Sequence, residues 1–220
     1  MCGRFTLRAS DEELSEFFDL DEGISLAPRF NIAPTQNICA IRSSLDGKKY
    51  AGLLHWGMIP PWAEDKRVAY SMINARSETV QQKPSFRAPF KSQRCLIPAN
   101  GYYEWKNEGK KKLPFLMERE NKSLLAFGGI WTEWSSPNGE NVTSCAILTT
   151  EAAPNLMDVH PRMPLILDSQ HFEPWLSSKQ LPDSQLMKPY SGEALKVVPV
   201  STRVNSAAND DENCMAPREA

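Results

Sequence analysis

Residues 37–54 read NICAIRSSLDGKKYAGLL, and this stretch carries the clearest fold signal in the chain. Two runs of apolar and β-forming residues, 37–43 and 49–54, flank the dipeptide Asp46-Gly47. Asp-Gly between two such runs favours a tight hairpin turn, because both residues tolerate a positive φ. The stretch therefore predicts two antiparallel strands joined by a short turn.

Similar short runs recur along the rest of the chain, whereas helix signals are few. Ser10 and Glu13 form a capping box before an amphipathic stretch, which predicts a helix over 11–19, and a second capped helix is predicted over 168–176. Many strands with few helices predict a mainly β fold with peripheral helices (α+β), compact and largely antiparallel. Further strands are predicted over residues 95–97, 102–106, 114–118, 123–131, 142–149, 162–167 and 196–200.

Composition limits the class of protein. With 220 residues, 41% of them hydrophobic and 24% charged, the chain is typical of one soluble globular domain. We expect that domain over 1–205, followed by a loose, polar and acidic C-terminal tail over 206–220. No apolar run is long enough for a membrane span, and the N-terminus lacks the apolar segment of a signal peptide. A cytoplasmic protein that does not contact membranes is therefore expected.

Charge and cysteine content narrow the function further. The net charge of −2 means that any binding of nucleic acid must rely on a local basic groove. The five cysteines are odd in number and widely spaced, without a Cys-x-x-Cys pair, which argues against a disulfide framework or a zinc site.

Cys2 is the first candidate for chemistry. Removal of Met1, which a small second residue permits, would leave a free α-amine and a thiol on adjacent carbons. Both groups have ordinary pKa values of about 8, so both are partly nucleophilic at neutral pH. Such an aminothiol condenses with an aldehyde to an imine and then closes a five-membered thiazolidine ring. The alternative is that Cys2 merely permits removal of Met1.

Polar residues in apolar surroundings are the second group of candidates. Asn74 and Arg76 lie two apart, which places both on one face of a strand. Glu104 lies between aromatic residues, an environment that raises a carboxyl pKa and suits acid–base work. His160 and Arg162 lie between prolines, and an imidazole transfers protons near neutral pH. Each has a structural alternative, such as an ion pair for Glu104, a core histidine for His160 and a turn for Asn74.

Residues 55–62 are rich in Trp and Pro, end at Trp62 and are predicted to form a loop. The loop is either a hydrophobic plug or a surface on which nucleobases stack. Many basic residues in apolar or turn contexts, including Arg4, are Arg rather than Lys, which suits recognition of planar phosphates. The run Lys110–Lys112 is predicted to be a solvated hairpin tip.

Six motifs in this order resemble the SRAP family, the SOS response-associated peptidases, which are regarded as abasic-site processing proteins. The resemblance extends from Met1 to about residue 205. The motifs are MCGRF at 1–5, RFNIAPTQ at 29–36, WGMIPPW at 56–62, INARSET at 73–79, RCLIPANGYYEW at 94–105 and HPRMP at 160–164, followed by Val200-Ser201.

The resemblance implies a function as well as a fold. It implies a β-rich domain with a positively charged groove for single-stranded DNA and covalent capture of abasic sites in that DNA. It makes Cys2 the crosslinking residue and implies lyase-like and self-processing peptidase activities. The other matching active-site positions are Asn74, Glu104 and His160, and the DNA-contacting positions are Arg76 and Arg162, to which we add Arg4 and Trp62.

No metal or organic cofactor is required for this chemistry. The expected partner is single-stranded DNA that contains abasic sites, and the protein is expected to be a cytoplasmic monomer that joins the nucleoid when it binds DNA. One position departs from the family pattern, because many relatives have an aromatic residue where this chain has Ala63. One stacking contact with DNA is therefore in question.

Two other classes of function remain open at the level of sequence. An N-terminal Cys also opens N-terminal-nucleophile amidotransferases and hydrolases, in which the thiol attacks an amide and the α-amine acts as base. Release of ammonia from glutamine would support that class. Alternatively, the protein binds single-stranded DNA without covalent chemistry, and equal binding of intact and abasic strands would support that reading.

Overall fold

A computed structural model describes residues 2–44, 46–136, 138–190 and 195–218. The predicted removal of Met1 and the last two residues of the predicted tail fall outside this set. The structure confirms the mainly β fold with peripheral helices. The strands are β1 Arg4–Leu7, β2 Arg29–Ile32, β3 Asn37–Ser43, β4 Lys49–Trp56, β5 Asn74–Arg76, β6 Arg94–Ala99, β7 Gly101–Glu108, β8 Lys111–Arg119, β9 Leu125–Ser135, β10 Asn141–Glu151, β11 Arg162–Pro164 and β12 Leu195–Pro199. The α-helices are α1 Asp11–Phe18, α2 Pro84–Ser92 and α3 Phe172–Leu176.

Two sheets build the molecule. The first has the strand order β12-β8-β7-β1-β2. The second has the order β11-β10-β4-β3-β6-β9, and it closes into a small barrel because β9 also pairs with β10. Most pairs are antiparallel, as predicted, but β10 pairs in parallel with β4 and with β5. β10 therefore joins the barrel to the short strand that carries Asn74 and Arg76.

The hairpin predicted from residues 37–54 is confirmed. β3 and β4 pair in antiparallel register from Asn37 opposite His55 to Ser43 opposite Lys49. Gly47 has a φ of 90°, a conformation that favours glycine. The Asp-Gly signal was sufficient here because a hairpin is a local structure.

The helices agree only in part with the prediction. In α1, the Ser10 side chain accepts a hydrogen bond from the Glu13 backbone while the Glu13 side chain accepts one from the Ser10 backbone, so the predicted capping box is confirmed. The second predicted helix is a 3-10 turn, Ser169–His171, followed by the short α3. α2 is not predicted by the sequence because it contains two prolines, which are unfavourable inside a helix, but Pro84 occupies the first turn, where no N–H is needed. None of the helices in the described ranges is long and apolar enough to cross a membrane.

Aromatic side chains fill the space between the two sheets. The Phe5 ring lies 5.2 Å from the Trp56 ring and 6.0 Å from the Phe127 ring, both in edge-on geometry. Tyr102 contacts Phe127 in the same way at 6.0 Å. Edge-on packing of this kind adds to the stabilisation from burial. It also fixes β1, and therefore Cys2, at the interface between the sheets.

The expectation of a loose tail over 206–220 is wrong for the part that the structure describes, which ends at residue 218. Cys214 is fully buried in this C-terminal segment. The Asp210 carboxylate accepts hydrogen bonds from the backbone N–H groups of Phe30 at 2.6 Å and Asn31 at 2.8 Å. Polar contacts attach the segment to β2, so its low content of apolar residues does not make it loose.

Candidate functional site

The structure brings together the four predicted catalytic residues, which come from four separate parts of the chain. Cys2 precedes β1, Asn74 begins β5, Glu104 lies on β7, and His160 lies in the loop between β10 and β11. β1 runs antiparallel to β7 with Arg4 opposite Tyr103, so the chain preceding β1 extends toward Glu104. Strand pairing therefore places the N-terminal cysteine beside the carboxyl group.

Cys2 is fully buried, and its backbone is fixed by a side chain from another strand. The Asn74 side-chain amide donates a hydrogen bond of 2.8 Å to the Cys2 carbonyl oxygen. Burial raises the pKa of the Cys2 thiol, and the nearby charge of Glu104 raises it further. The Asn74 Oδ1 atom is buried and has no hydrogen-bond partner among the described residues. It can therefore accept a hydrogen bond from a ligand.

Glu104 and His160 are two neighbouring titratable groups with shifted pKa values. Glu104 is 4% exposed, and burial raises the pKa of its carboxyl to about 7. The His160 Nδ1 atom lies 3.9 Å from Glu104 Oε1, and partial burial lowers the pKa of the imidazole. Both shifts favour the neutral forms, so near pH 7 the two groups are not a fixed ion pair. The Arg162 backbone N–H, 3.0 Å from His160 Nδ1, orients the ring.

Arg162 lies at the edge of this cluster with its guanidinium held in place. It forms a bidentate ion pair with Glu78, with N–O distances of 2.6 Å and 3.0 Å. It also donates a hydrogen bond of 2.7 Å to the Thr149 carbonyl oxygen. Arg76 is exposed on β5, where it pairs in register with Thr149. Arg76 and Arg162, two of the three arginines predicted to contact DNA, therefore flank the same residue of β10.

The other two predicted DNA-contacting residues lie in different surroundings. The Arg4 guanidinium donates to Asn31 Oδ1 at 2.9 Å and to the Val204 carbonyl oxygen at 2.7 Å. These contacts tie β1 to β2 and to the chain that follows β12, and partial burial lowers the pKa of Arg4. Trp62 is 65% exposed in the loop after β4. Its ring is accessible, as stacking on a base requires.

A groove of about 440 Å³ opens beside Glu104 and His160. Its lining includes four residues that the sequence analysis did not assign to the site: Trp105, Asn107, Lys112 and Asn205. The run Lys110–Lys112 is exposed near the tip of the β7–β8 hairpin, as predicted, and Lys112, opposite Asn107, also lines the groove. Strand register, which local sequence patterns do not determine, is what places Lys112 at the groove. No group of three or more His, Cys, Asp or Glu residues within the described ranges is arranged to hold a metal ion.

Comparisons with known proteins agree with the motifs. The model of the family described as SOS response associated peptidase (SRAP) matches residues 1–207. The abasic site processing protein YoaM of Bacillus subtilis is 41% identical over 217 residues, which cover 96% of this chain and 95% of YoaM. The abasic site processing protein HMCES of Gallus gallus is 32% identical over 191 residues, covering 76% of this chain and 57% of HMCES.

Solved structures show the same fold. A crystal structure of a protein from Bacteroides thetaiotaomicron matches with a TM-score of 0.88 and 24% identity, covering 99% of this chain and 100% of that chain. A protein from Bordetella bronchiseptica matches with a TM-score of 0.79 and 27% identity, covering 91% of this chain and 100% of that chain. The two-sheet architecture described above is therefore shared with both.

Proposed function

The chain belongs to the SOS response associated peptidase (SRAP) family, and on that premise we propose that it processes abasic sites in single-stranded DNA by forming a covalent bond through Cys2. The observation that carries the proposal is the convergence of Cys2, Asn74, Glu104 and His160. These residues supply a nucleophile, a group that fixes it, and two groups that exchange protons. YoaM and HMCES, which are similar over most of this chain, are named as abasic site processing proteins.

The chemistry follows from the groups present. The abasic sugar is mostly a closed hemiacetal, and His160 acts as acid and base to open it to the aldehyde. The α-amine of Cys2, free once Met1 is removed, adds to the aldehyde and releases water to form an imine. The thiol then adds to the imine carbon, and the electron pair of the C=N bond goes to nitrogen. Glu104 carries the proton from sulfur to nitrogen, so the product is a neutral thiazolidine.

The pKa of Glu104 suits this transfer. A general acid–base group works best when its pKa lies near the working pH, and burial raises the pKa of Glu104 to about 7. The carboxyl can therefore accept and return a proton without a large free-energy cost in either direction. The same property allows Glu104 to assist reversal of the crosslink.

DNA binding is the second part of the proposal. Arg76 and Arg162 hold phosphates on either side of the abasic nucleotide, Lys112 adds a charge within the groove, and Trp62 stacks on a base. Contacts of this kind position a strand without reading its sequence. Arg4 acts indirectly, because its contacts hold β1 in place.

The biological role proposed for the crosslink is protection of abasic sites in single-stranded DNA. In a single strand no template is available for excision repair, and cleavage there would break the chromosome. A covalent crosslink between the protein and the abasic site avoids that break. This role fits the proposed cytoplasmic monomer, which joins the nucleoid when it binds damaged DNA. Lyase-like cleavage and N-terminal self-processing are proposed as minor activities of the same site.

A denaturing gel of the protein mixed with abasic single-stranded DNA tests the proposal. A stable adduct is expected with the wild type and with the Cys39→Ala control, a buried cysteine of β3, and none with Cys2→Ala. Cys2→Ser is expected to leave only a labile imine, because a hydroxyl closes the ring poorly, and weak strand cleavage by β-elimination is expected to follow.

Three outcomes would contradict the proposal. An undiminished adduct in Cys2→Ala would place the attachment elsewhere. Equal, purely non-covalent binding of intact and abasic strands would indicate a single-strand binding protein. Ammonia released from glutamine, without an adduct, would indicate an amidotransferase.

A further inference from the structure

Two adjacent tyrosines on β7 have opposite hydrogen-bonding states. Tyr103 donates a hydrogen bond of 2.7 Å from its hydroxyl to the Phe30 carbonyl oxygen. Tyr102 is fully buried, and its hydroxyl has no hydrogen-bond partner among the described residues. A buried hydroxyl without a partner costs free energy, so its presence calls for a physical explanation.

The hydroxyl of Tyr102 lies near the reacting groups. Side chains alternate along a strand, so Tyr102 and Glu104 share one face of β7 and Tyr103 lies on the other. Tyr102 is opposite Phe5 of β1, and it packs in the same buried cluster as Cys2. Burial raises the pKa of Tyr102, and electrostatic interaction with the ionised forms of Cys2 and Glu104 raises it further.

We propose that Tyr102 is a positioning residue whose hydroxyl donates a hydrogen bond to the Cys2 sulfur while the thiol adds to the imine. The proposal rests on the proposed function of the site. As the S–H bond breaks, Glu104 receives the proton and the sulfur becomes negative. The new S–C bond forms, the C=N electron pair moves to nitrogen, and Glu104 returns the proton there. Tyr102 keeps its own proton throughout.

The physical reason is the burial of Cys2. A thiolate in an apolar environment is unfavourable, which is why burial raises the pKa of this thiol. A donor fixed by packing in the same buried cluster would stabilise the charge on the sulfur without the reorganisation that water would need. The Tyr102 hydroxyl, which has no partner among the described residues of the resting site, then gains a hydrogen bond when negative charge develops on the Cys2 sulfur. The effect concerns ring closure, since imine formation uses the nitrogen and not the sulfur.

Tyr102→Phe tests the proposal, because it removes only the oxygen, and Tyr103→Phe is the matched control. The probe is glycolaldehyde, a small aldehyde that forms a thiazolidine with an N-terminal cysteine without DNA. Cyanoborohydride traps the imine, and intact mass distinguishes the reduced imine from the thiazolidine. We expect Tyr102→Phe to form the imine at the wild-type rate and to close the ring roughly 10- to 100-fold more slowly, the range for one hydrogen bond to a charged group.

The control separates this role from a structural one. Tyr103→Phe loses its hydrogen bond to Phe30, so it should unfold at a lower urea concentration and close the ring at the wild-type rate. The rate of ring closure in Tyr102→Phe should also reach its plateau at higher pH than in the wild type. Ring closure at the wild-type rate in Tyr102→Phe, or equal slowing of imine formation and ring closure, would overturn the proposal. Because no DNA is present, failure to capture abasic DNA would contradict the proposed function and leave this test intact.

Discussion

His160 Nδ1 and Glu104 Oε1 lie 3.9 Å apart, beyond direct hydrogen-bond distance, and we propose that the two groups serve different steps of the reaction. We expect His160→Ala to slow crosslinking to abasic DNA by about 10²- to 10⁴-fold, the usual range for general acid–base help, because ring opening needs a proton donor and acceptor. The same variant should react normally with an aldehyde that is already open. Glu104→Ala should slow both reactions and also the reversal of a preformed crosslink. A rate comparison of the two variants on the two aldehydes is the measurement.

The outcome for His160 decides between two assignments. Equal loss of rate on the sugar and on the open aldehyde would show that His160 is structural or acts after ring opening. The 3.9 Å separation between His160 and Glu104 allows either assignment, so the kinetics must distinguish them.

The carboxyl of Glu104 also affects stability. Burial raises its pKa from 4.5 to about 7, so between these values the folded protein holds a proton that the unfolded chain has released. The free energy of unfolding of the wild type therefore falls as the pH rises through this window. Glu104→Gln removes the effect and should be more stable than the wild type above pH 7 by at most about 3 kcal/mol, with little difference near pH 4. Urea unfolding at several pH values checks this, and parallel pH profiles of the two proteins would contradict it.

At the scale of elements, Asp210 is expected to stabilise the attachment of the C-terminal segment to β2. Burial favours a higher pKa for Asp210, but its hydrogen bonds with Arg29, Phe30 and Asn31 outweigh burial and leave the pKa below its usual range. We expect Asp210→Asn to lower the free energy of unfolding by about 1.5–3 kcal/mol, the range for hydrogen bonds to a charged group. The stabilisation should be present at neutral pH and disappear as the pH falls through the pKa of the folded state.

Urea unfolding of Asp210→Asn beside Glu212→Gln provides the check. Glu212 is an exposed carboxylate two residues away, and its variant should unfold like the wild type. Equal stability of Asp210→Asn and the wild type would contradict a stabilising role for the Asp210 carboxylate charge.

For the whole molecule, the relevant quantity is the distribution of charge and not its sum. The net charge is −2, so the proposed binding of DNA relies on a local set of basic residues, for which we propose Arg76, Lys112 and Arg162. Affinity should fall with salt, with a slope of about −0.7 in log K against log salt for each phosphate neutralised on a single strand. Arg76→Ala should make the slope shallower by about 0.7, while Lys48→Ala, in the exposed turn of the β3–β4 hairpin, should leave it unchanged. Fluorescence anisotropy over a salt series measures both, and an affinity that does not respond to salt would contradict the electrostatic model.

The sequence by itself determined the features that depend on local patterns. The Asp-Gly turn fixed the β3–β4 hairpin, the capping box fixed the start of α1, and closely spaced apolar runs gave the β-rich class. Six motifs in order were enough to identify the family. They also indicated Cys2, Asn74, Glu104 and His160 as candidate catalytic residues, because a motif preserves residue identities even where their spatial arrangement is unknown.

Only the tertiary structure decided which groups meet and which of them are buried. The C-terminal segment looked loose by composition, but Asp210 attaches it to backbone N–H groups that lie 179 and 180 residues away along the chain. Lys112 entered the groove through strand register, and the adjacent residues Tyr102 and Tyr103 differ because they point to opposite faces of β7. The pKa of Glu104 likewise depends on burial by segments that are distant in sequence. These properties arise from non-local pairing, and local periodicity carries no information about it.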